Sequence, residues 1–201
     1  SDIVGELFYD GQFEWKKNSI IPNEELPLIF KDSRLLLIDH PHCTSGGIAD
    51  ESSRGGTLRN RGELETSRKL FLQLAEGGHD VVFLSPYRGQ VESFKTMVPK
   101  NLRQFVRTVD QFQGREADFI VLSLVRNNSR TGSLSRWGFV SKPNRLNVAL
   151  SRAREGLIIM TSVQHIVDTD WQYGEHIASM LEMIRVRGRI LTVDELGGYE
   201  S

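Results

Sequence analysis

The strongest constraint on the fold is the apolar run at residues 119–125, which only Ser123 interrupts. A strand without a polar face must be covered on both sides, which is typical of the inner strands of parallel sheets flanked by helices. Shorter runs of the same kind lie at residues 35–38, 81–84 and 157–160. The sequence therefore predicts an α/β fold, with residues 119–125 near the centre of the sheet.

Helical spacing fills the segments between these runs. Residues 63–75 place apolar side chains among charges and precede Gly77 and Gly78, which predicts a helix that ends there. Further helices are predicted from Gly89 and after Pro143. The third and last helices carry the stripes Leu146, Ala149, Leu150 and Ala153, and Ile177, Met180, Leu181 and Ile184.

Residues 126–142 are rich in Gly, Ser and Asn and predict an exposed loop, held at its end by Trp137 and Phe139. The loop contains Arg126, Arg130 and Arg136. One hypothesis is that these arginines touch a nucleic acid or a partner.

The charge distribution narrows the possible partners. The 201 residues carry 25 Lys and Arg against 26 Asp and Glu, yet residues 99–154 contain 11 basic and 3 acidic side chains. Such a concentration suits a polyanion such as a nucleic-acid backbone, with a solvated basic face as the plain alternative. The single Cys43 cannot form an intrachain disulfide, and no apolar run approaches the roughly 20 residues of a membrane span. We expect an intracellular protein, cytoplasmic or nuclear, without a membrane partner.

Three polar segments contain the residues best suited to bind a ligand, and each has a fixed place relative to the predicted strands and helices. SPYRGQ (85–90) follows the run at 81–84, VDQFQGRE (109–116) follows a short strand predicted at 106–109, and LNVALSRAR (146–154) follows the basic loop. Ligands of parallel sheets bind at the carboxyl ends of the strands, so we expect these segments to converge there. A glycine lets the backbone approach a phosphate, and arginines neutralise its charge.

These segments resemble the motifs of a known family. TVDQFQGREADFIVLSLVR (108–126), followed by GFV (138–140) and RLNVALSRAR (145–154), resembles motifs V and VI of superfamily 1 helicases in their Upf-like, 5′-to-3′ branch. SPYRGQ is similar to motif IV, and ELFYDGQF (6–13) to the segment that enters the second RecA-like domain of that group. The resemblance implies a single RecA-like α/β domain at residues 31–201, with a mostly parallel sheet, after an irregular lead-in at residues 1–30 from the preceding domain.

The resemblance also implies roles for individual residues. Arg152, the first arginine of SRAR, matches the arginine finger that neutralises charge on the γ-phosphate of ATP, and Arg88 in motif IV is a second catalytic candidate. The residues implied to bind the nucleotide are Gln113, Gly114, Glu116 and Arg154, where Arg154 supports the site or pairs with Glu116. The residues implied to touch the backbone of single-stranded RNA or DNA are Ser85, Thr108 and Asp110.

Plainer roles compete with several of these assignments. Arginines on a helix are often solvated, Asp110 suits a cap, and Gly114 suits an ordinary turn. Tyr87 either stacks on a base or packs under the motif IV turn.

A loop with metal-capable side chains follows the first predicted strand. It holds Asp39, His40, His42 and Cys43, which lack the paired spacing of a zinc site. We therefore expect an ordinary polar loop and no metal.

The phosphate-binding loop of nucleotide hydrolases is missing from this sequence. No GK precedes Ser or Thr, and the family's motifs I, II and III are missing too. ILTVDEL (190–196) resembles a Walker B motif, but it follows motif VI, so Asp194 and Glu195 are expected on the surface. The resemblance thus implies that ATP and Mg²⁺ bind mainly to the first RecA-like domain of the same polypeptide, and that this chain alone is inactive.

Together these inferences predict the C-terminal RecA-like half of an ATP-dependent superfamily 1 helicase or translocase. Two alternatives stay open. One is a non-catalytic nucleic-acid-binding or scaffold module derived from a helicase, and the other is an unrelated P-loop-type enzyme that uses Asp194 and Glu195. RNA and DNA are not distinguished, because contacts to the backbone carry no sequence information.

Overall fold

A computed structural model describes residues 21–43, 51–54, 57–130, 136–141, 146, 149–169 and 175–199. Its strands are β1 (Leu35–Asp39), β2 (Glu51–Arg54), β3 (Thr57–Asn60), β4 (Val81–Ser85), β5 (Val106–Thr108), β6 (Ala117–Ser123), β7 (Ala153–Thr161) and β8 (Arg189–Thr192). Its helices are α1 (Arg61–Glu76), α2 (Arg88–Met97), α3 (Val163–Val167) and α4 (Glu175–Arg187). Short 3₁₀ turns lie at Asn23–Glu25, Leu28–Phe30, Lys100–Phe105, Asp110–Phe112, Gly138–Ser141 and Asp194–Tyr199.

Six strands form one parallel sheet in the order β5-β4-β6-β7-β1-β8, and β2 and β3 form a separate antiparallel hairpin. The predicted apolar run occupies β6, between β4 and β7, so its central place in the sheet is confirmed. The α/β prediction is confirmed as well.

The side chains of the sheet alternate between two apolar layers. On β6, Ile120 and Leu122 face the layer that contains α4, whereas Phe119 and Val121 face the layer that contains α1 and α2. All four side chains are fully buried. Both faces of the sheet are therefore covered by helices, as parallel strands require.

The predicted helical stripes lie in these layers. In α4, the stripe Ile177, Met180, Leu181 and Ile184 is buried. Leu146, Ala149 and Leu150 are buried helical residues, but Ala153 is the first residue of β7 instead of the end of the helix. The predicted helix is therefore confirmed for its buried face and one turn too long at its end.

The lead-in to the sheet packs on the same core. Leu26, Ile29 and Phe30 are buried in the layer of α1 and α2. Arg34 bonds Glu155 at the start of β7 and also the carbonyl oxygen of Ile21, at 3.1 Å. Residues 6–13, which resemble a domain-entry segment, lie outside the described residues. Among the described residues, no helix has the length and apolar character that a bilayer crossing requires.

One close approach between β7 and the core is sensitive to a single methyl group. A Cβ at Gly156 would lie 2.6 Å from the ring of Phe30 and 2.9 Å from the ring of Phe119, and both rings are buried. We expect Gly156→Ala to lower the free energy of unfolding by about 1–3 kcal/mol through overpacking, as measured by urea titration. Gly197→Ala is the control, because a Cβ there has no atom within 4 Å. Equal stability of the two variants would contradict this packing.

Candidate functional site

The predicted site residues lie at two opposite ends of the sheet. Residues 113–116 lead into β6 and Arg152 leads into β7, so they lie at the amino ends of these strands. Ser85 and Thr108 end β4 and β5 side by side. The expectation that all three motifs converge at the carboxyl ends is therefore wrong. The motif V segment starts at the carboxyl end of the short strand β5 and returns to the amino end of β6 within eight residues.

At the amino end, Arg152 lies against the motif V loop. The backbone N–H of Ala117 donates to the carbonyl oxygen of Arg152 at 3.1 Å, which joins the start of β6 to the residue before β7. The half-buried guanidinium reaches the carbonyl oxygen of Arg115 at 3.4 Å and the hydroxyl of Ser151 at 2.8 Å. The side chain of Arg152 thus contacts the segment before β6, and its backbone contacts the first residue of β6.

The loop beside this arginine is exposed to solvent. Gln113, Gly114, Arg115 and Glu116 are all exposed. Gly114 has a φ of +77°, a conformation that favours glycine, and a Cβ added there would meet no atom within 4 Å. The turn explanation for Gly114 is therefore correct, and the same turn leaves space for a ligand to approach the backbone next to a cation.

Arg154 pairs with two carboxylates across three strands. Its guanidinium lies 2.9 Å from Asp118 at the start of β6 and 3.1 Å from Asp80 before β4. The expected pairing with Glu116 is not found. The β6–β7 register is irregular between Ala117 and Phe119, where Arg154 and Glu155 lie opposite the single residue Asp118.

At the carboxyl end, the motif IV and motif V residues differ in access. Thr108 and Gln111 exchange hydrogen bonds of 3.1 and 3.3 Å that shape an exposed turn, and Asp110 is exposed within it. Ser85 is fully buried, and its hydroxyl accepts from the backbone N–H of Tyr87 at 3.3 Å. Ser85 therefore holds the turn from inside, while Thr108 and Asp110 offer accessible groups.

Tyr87 and Arg88 follow this turn. The hydroxyl of Tyr87 donates to the carbonyl oxygen of Trp137 at 3.1 Å, and the side chain packs on the apolar layer, which favours the packing role over base stacking. Arg88 is exposed at the first position of α2.

The two candidate catalytic arginines do not come together. Ser85 at the end of β4 lies opposite Ser123 at the end of β6. Arg152 lies beside Ala117, which is six residues before Ser123 on the same strand. At about 3.3 Å per residue, the two ends of the sheet are about 20 Å apart. Arg88 and Arg152 therefore belong to segments at opposite ends of the sheet.

A buried polar network at the carboxyl end was missed from the sequence. Asn60, Glu63, Gln90 and Ser123 are each fully buried and hydrogen-bonded to one another. The spacing of Asn60 and Glu63 is a capping-box pattern that marks the start of α1, two residues before the predicted helix start. That spacing was the available signal, whereas the partners Gln90 and Ser123 are brought in only by the fold.

The arginine-rich loop is largely internal. Arg126, Asn127, Asn128 and Arg136 are all buried, and the Arg126 guanidinium donates to the carbonyl oxygen of Arg136 at 2.8 Å. The prediction of an exposed loop is wrong for these residues, because their side chains donate hydrogen bonds to backbone carbonyl oxygens inside the protein. Arg126 and Arg136 are thus not available to a nucleic acid, while Arg130 is exposed.

The end of this loop is held as predicted by Trp137. Its fully buried indole donates to the hydroxyl of Thr169 at 2.9 Å. The side chain of Phe139 lies outside the described residues.

The metal-capable loop is also packed internally. His40 and His42 are each 3% exposed, the Cys43 backbone N–H donates to Asn127, and Asp39 accepts from the backbone N–H of Val163. His165 stacks on His42 with ring centroids 5.5 Å apart. Within the described ranges, no group of three or more His, Cys, Asp or Glu side chains is arranged to hold a metal ion.

The acidic pair that resembles a Walker B motif follows the edge strand β8. Asp194 and Glu195 are exposed, and the Glu195 carboxylate accepts from the backbone N–H of Thr192 at 2.6 Å. This hydrogen bond, together with one from the Thr192 hydroxyl, holds the pKa of Glu195 below its usual value. The expected surface position is confirmed, and the carboxylate serves as a local turn cap.

Comparisons with known proteins agree with the motifs. The family model described as an AAA domain matches residues 1–164. The Regulator of nonsense transcripts 1 homolog of Neurospora crassa is 38% identical over 180 residues, which cover 80% of this chain and 15% of the relative. The ATP-dependent helicase upf1 of Schizosaccharomyces pombe is 33% identical over 177 residues, which cover 80% of this chain and 18% of the relative. The DNA polymerase alpha-associated DNA helicase A of Saccharomyces cerevisiae is 34% identical over 122 residues, which cover 58% of this chain and 17% of the relative. This chain spans less than a fifth of the length of these relatives.

The buried histidines make stability depend on pH. Burial lowers the pKa of His40 to about 4 and that of His165 to about 3, from 6.5 in each case. The unfolded chain takes up these protons near pH 6.5 and the folded chain does not, so the free energy of unfolding falls as the pH drops from 6.5 towards 4. Urea titrations across this range should show the loss, at up to about 1.4 kcal/mol per pH unit for each histidine. His165→Leu should give a shallower slope, and an unchanged slope would contradict the assignment.

Proposed function

Because this chain belongs to the AAA domain family, in the Upf-like group of superfamily 1 helicases, we propose that it is the second RecA-like half of an ATP-dependent helicase or translocase. One observation carries the proposal. The Arg152 guanidinium lies against the backbone of the loop at residues 113–116, where Gly114 leaves open space. A cation beside an exposed loop with open space at a glycine is an arrangement suited to a phosphate.

The amino end of the sheet is the proposed nucleotide face. Arg152 neutralises charge that develops on the γ-phosphate, as an arginine finger does. Gln113, Gly114 and Glu116 line the nucleotide beside it, with Glu116 on the ribose or an arginine. Arg154 supports this face indirectly, because its two carboxylate partners hold the starts of β4, β6 and β7 together.

The first RecA-like domain of the same polypeptide is the proposed partner at this face. It would supply the phosphate-binding loop that is missing from this sequence and hold most of the ATP and Mg²⁺. When bound, Mg²⁺ neutralises phosphate charge. Arg152 would complete the site only when the two domains close, so closure is coupled to hydrolysis.

The carboxyl end of the sheet is the proposed nucleic-acid face. Thr108 and Asp110 offer exposed polar groups to the backbone of a single strand, and buried Ser85 supports their turn. Arg88 lies at the same end, so we assign it to a nucleic-acid phosphate instead of the γ-phosphate. Among the relatives, one is named for nonsense transcripts and another for DNA, and the proposed substrate is single-stranded RNA or DNA.

The decisive variant for the nucleotide face is Arg152→Ala in the full-length protein. Loss of an arginine finger leaves the charge on the transferring phosphoryl group unneutralised. We expect nucleic-acid-stimulated ATP hydrolysis to fall about 10³–10⁵-fold, with the circular dichroism spectrum unchanged.

The matched control is Arg185→Ala, an exposed arginine on α4 that pairs with Glu182. It should keep the wild-type rate. Full activity of Arg152→Ala would remove this arginine from the mechanism. No hydrolysis by the wild-type protein would favour a non-catalytic module derived from a helicase.

A further inference from the structure

The buried network at the carboxyl end joins three elements, of which α2 carries Arg88 of the proposed nucleic-acid face. Asn60 precedes α1, Gln90 lies in the first turn of α2, and Ser123 ends β6. The Gln90 amide donates to the Ser123 hydroxyl at 2.7 Å and to the carbonyl oxygen of Asn60 at 3.1 Å. The Ser123 hydroxyl donates in turn to the carboxylate of Glu63. The network therefore fixes α1, α2 and β6 relative to one another.

The start of α1 departs from the usual capping box. The Asn60 side chain accepts from the backbone N–H of Glu63 at 3.0 Å, as expected for a cap. In the usual box, the glutamate would bond the backbone N–H of the cap residue. Here Gln90 accepts that hydrogen bond at 2.8 Å. The Glu63 carboxylate is thereby directed away from its own helix and towards the end of β6.

The target of this carboxylate is a strained turn. Val125 has a φ of +73°, the only positive φ at a non-glycine among the described residues. The backbone N–H of Arg126 donates to the carbonyl oxygen of Leu124 at 2.8 Å, so residues 124–126 form a γ-turn with positive φ at its centre. This conformation is unfavourable for a β-branched residue and needs support from its surroundings.

The network supplies that support on both sides of Val125. The backbone N–H of Val125 donates to the Glu63 carboxylate at 2.9 Å, and the Asn60 side chain donates to the carbonyl oxygen of Val125 at 3.1 Å. A carboxylate suits the position because it faces three donors, from Asn60, Ser123 and Val125, and has no hydrogen to oppose them.

The turn determines the path of the chain beyond β6. After Val125, the chain enters the core as Arg126 and Asn127. Asn127 donates to the carbonyl oxygen of Pro41, and Arg126 donates to that of Arg136. Residue 136 is followed by Trp137, whose carbonyl oxygen holds Tyr87 in the motif IV turn. These contacts connect the Val125 turn to the turn that precedes Arg88.

We propose that Glu63 is a positioning residue for nucleic-acid binding, which acts by holding the Val125 turn and, through it, the carboxyl end of the sheet. The inference rests on the proposed function of that end. It adds a residue that does not touch the nucleic acid and lies outside the motifs of the family resemblance. Preorganisation of this end lowers the ordering cost of gripping a flexible strand.

The test measures the affinity of the full-length protein for oligouridine and oligothymidine by fluorescence anisotropy. Glu63→Gln keeps the shape of the side chain but places a donor among donors. We expect roughly tenfold weaker binding, because the loosened Val125 turn must then be ordered when the strand binds. A purely structural role would lower the melting temperature and leave the affinity of the folded protein unchanged. Glu65→Gln, an exposed substitution on the same helix, is the control and should bind as the wild type does.

A second variant identifies the turn as the route of the effect. Val125→Gly accepts the positive φ without strain, so the turn no longer depends on Glu63. We expect Glu63→Gln to weaken binding much less when it is added to Val125→Gly than when it is added to the wild type. If Glu63→Gln alone does not fold, we expect Val125→Gly to restore folding and to bind about equally well with and without Glu63→Gln.

The outcomes separate the two levels of the proposal. If the wild type binds and Glu63→Gln binds equally well, the positioning role is wrong and the proposed function stands. An undiminished effect of Glu63→Gln on the Val125→Gly background would also overturn the role of the turn. A wild-type protein that binds neither oligonucleotide would overturn the nucleic-acid face itself.

Discussion

The architecture depends on one constraint, the burial of both faces of the central strands. Phe119 and Val121 pack under α1 and α2, while Ile120 and Leu122 pack on the opposite layer. A sheet that is covered on both faces has only its two ends, besides its edge strands, to present polar groups. All the sequence-predicted site residues lie in the segments at these ends. The constraint that makes the sheet stable thus also limits where its chemistry can be.

The two ends differ in how their polar groups are arranged. The amino end presents a half-buried arginine against an exposed loop, whereas the carboxyl end combines exposed groups with a buried supporting network. A sheet about 20 Å long separates them. In the account proposed here, β6 connects the nucleotide loop before Ala117 with the strained turn after Ser123, so one rigid element reaches both faces.

Much of the fold could be predicted from the sequence because its signals are local. The apolar run at 119–125 located the central strand, and the stripe in α4 located its buried face. The buried state of Arg126 and Arg136 could not be predicted, because it depends on backbone carbonyls that the fold brings close. The position of residues 113–116 at the amino end follows from their place directly before β6. It was missed because the motif was assigned to the carboxyl end of the strand before it.

The most direct test of the account is a crystal structure of the full-length protein with a non-hydrolysable ATP analogue. We expect the γ-phosphate at the amino ends of β6 and β7, within hydrogen-bonding distance of the Arg152 guanidinium and beside Gly114. A γ-phosphate bound at the carboxyl end, next to Arg88, would contradict the division of the sheet into a nucleotide face and a nucleic-acid face.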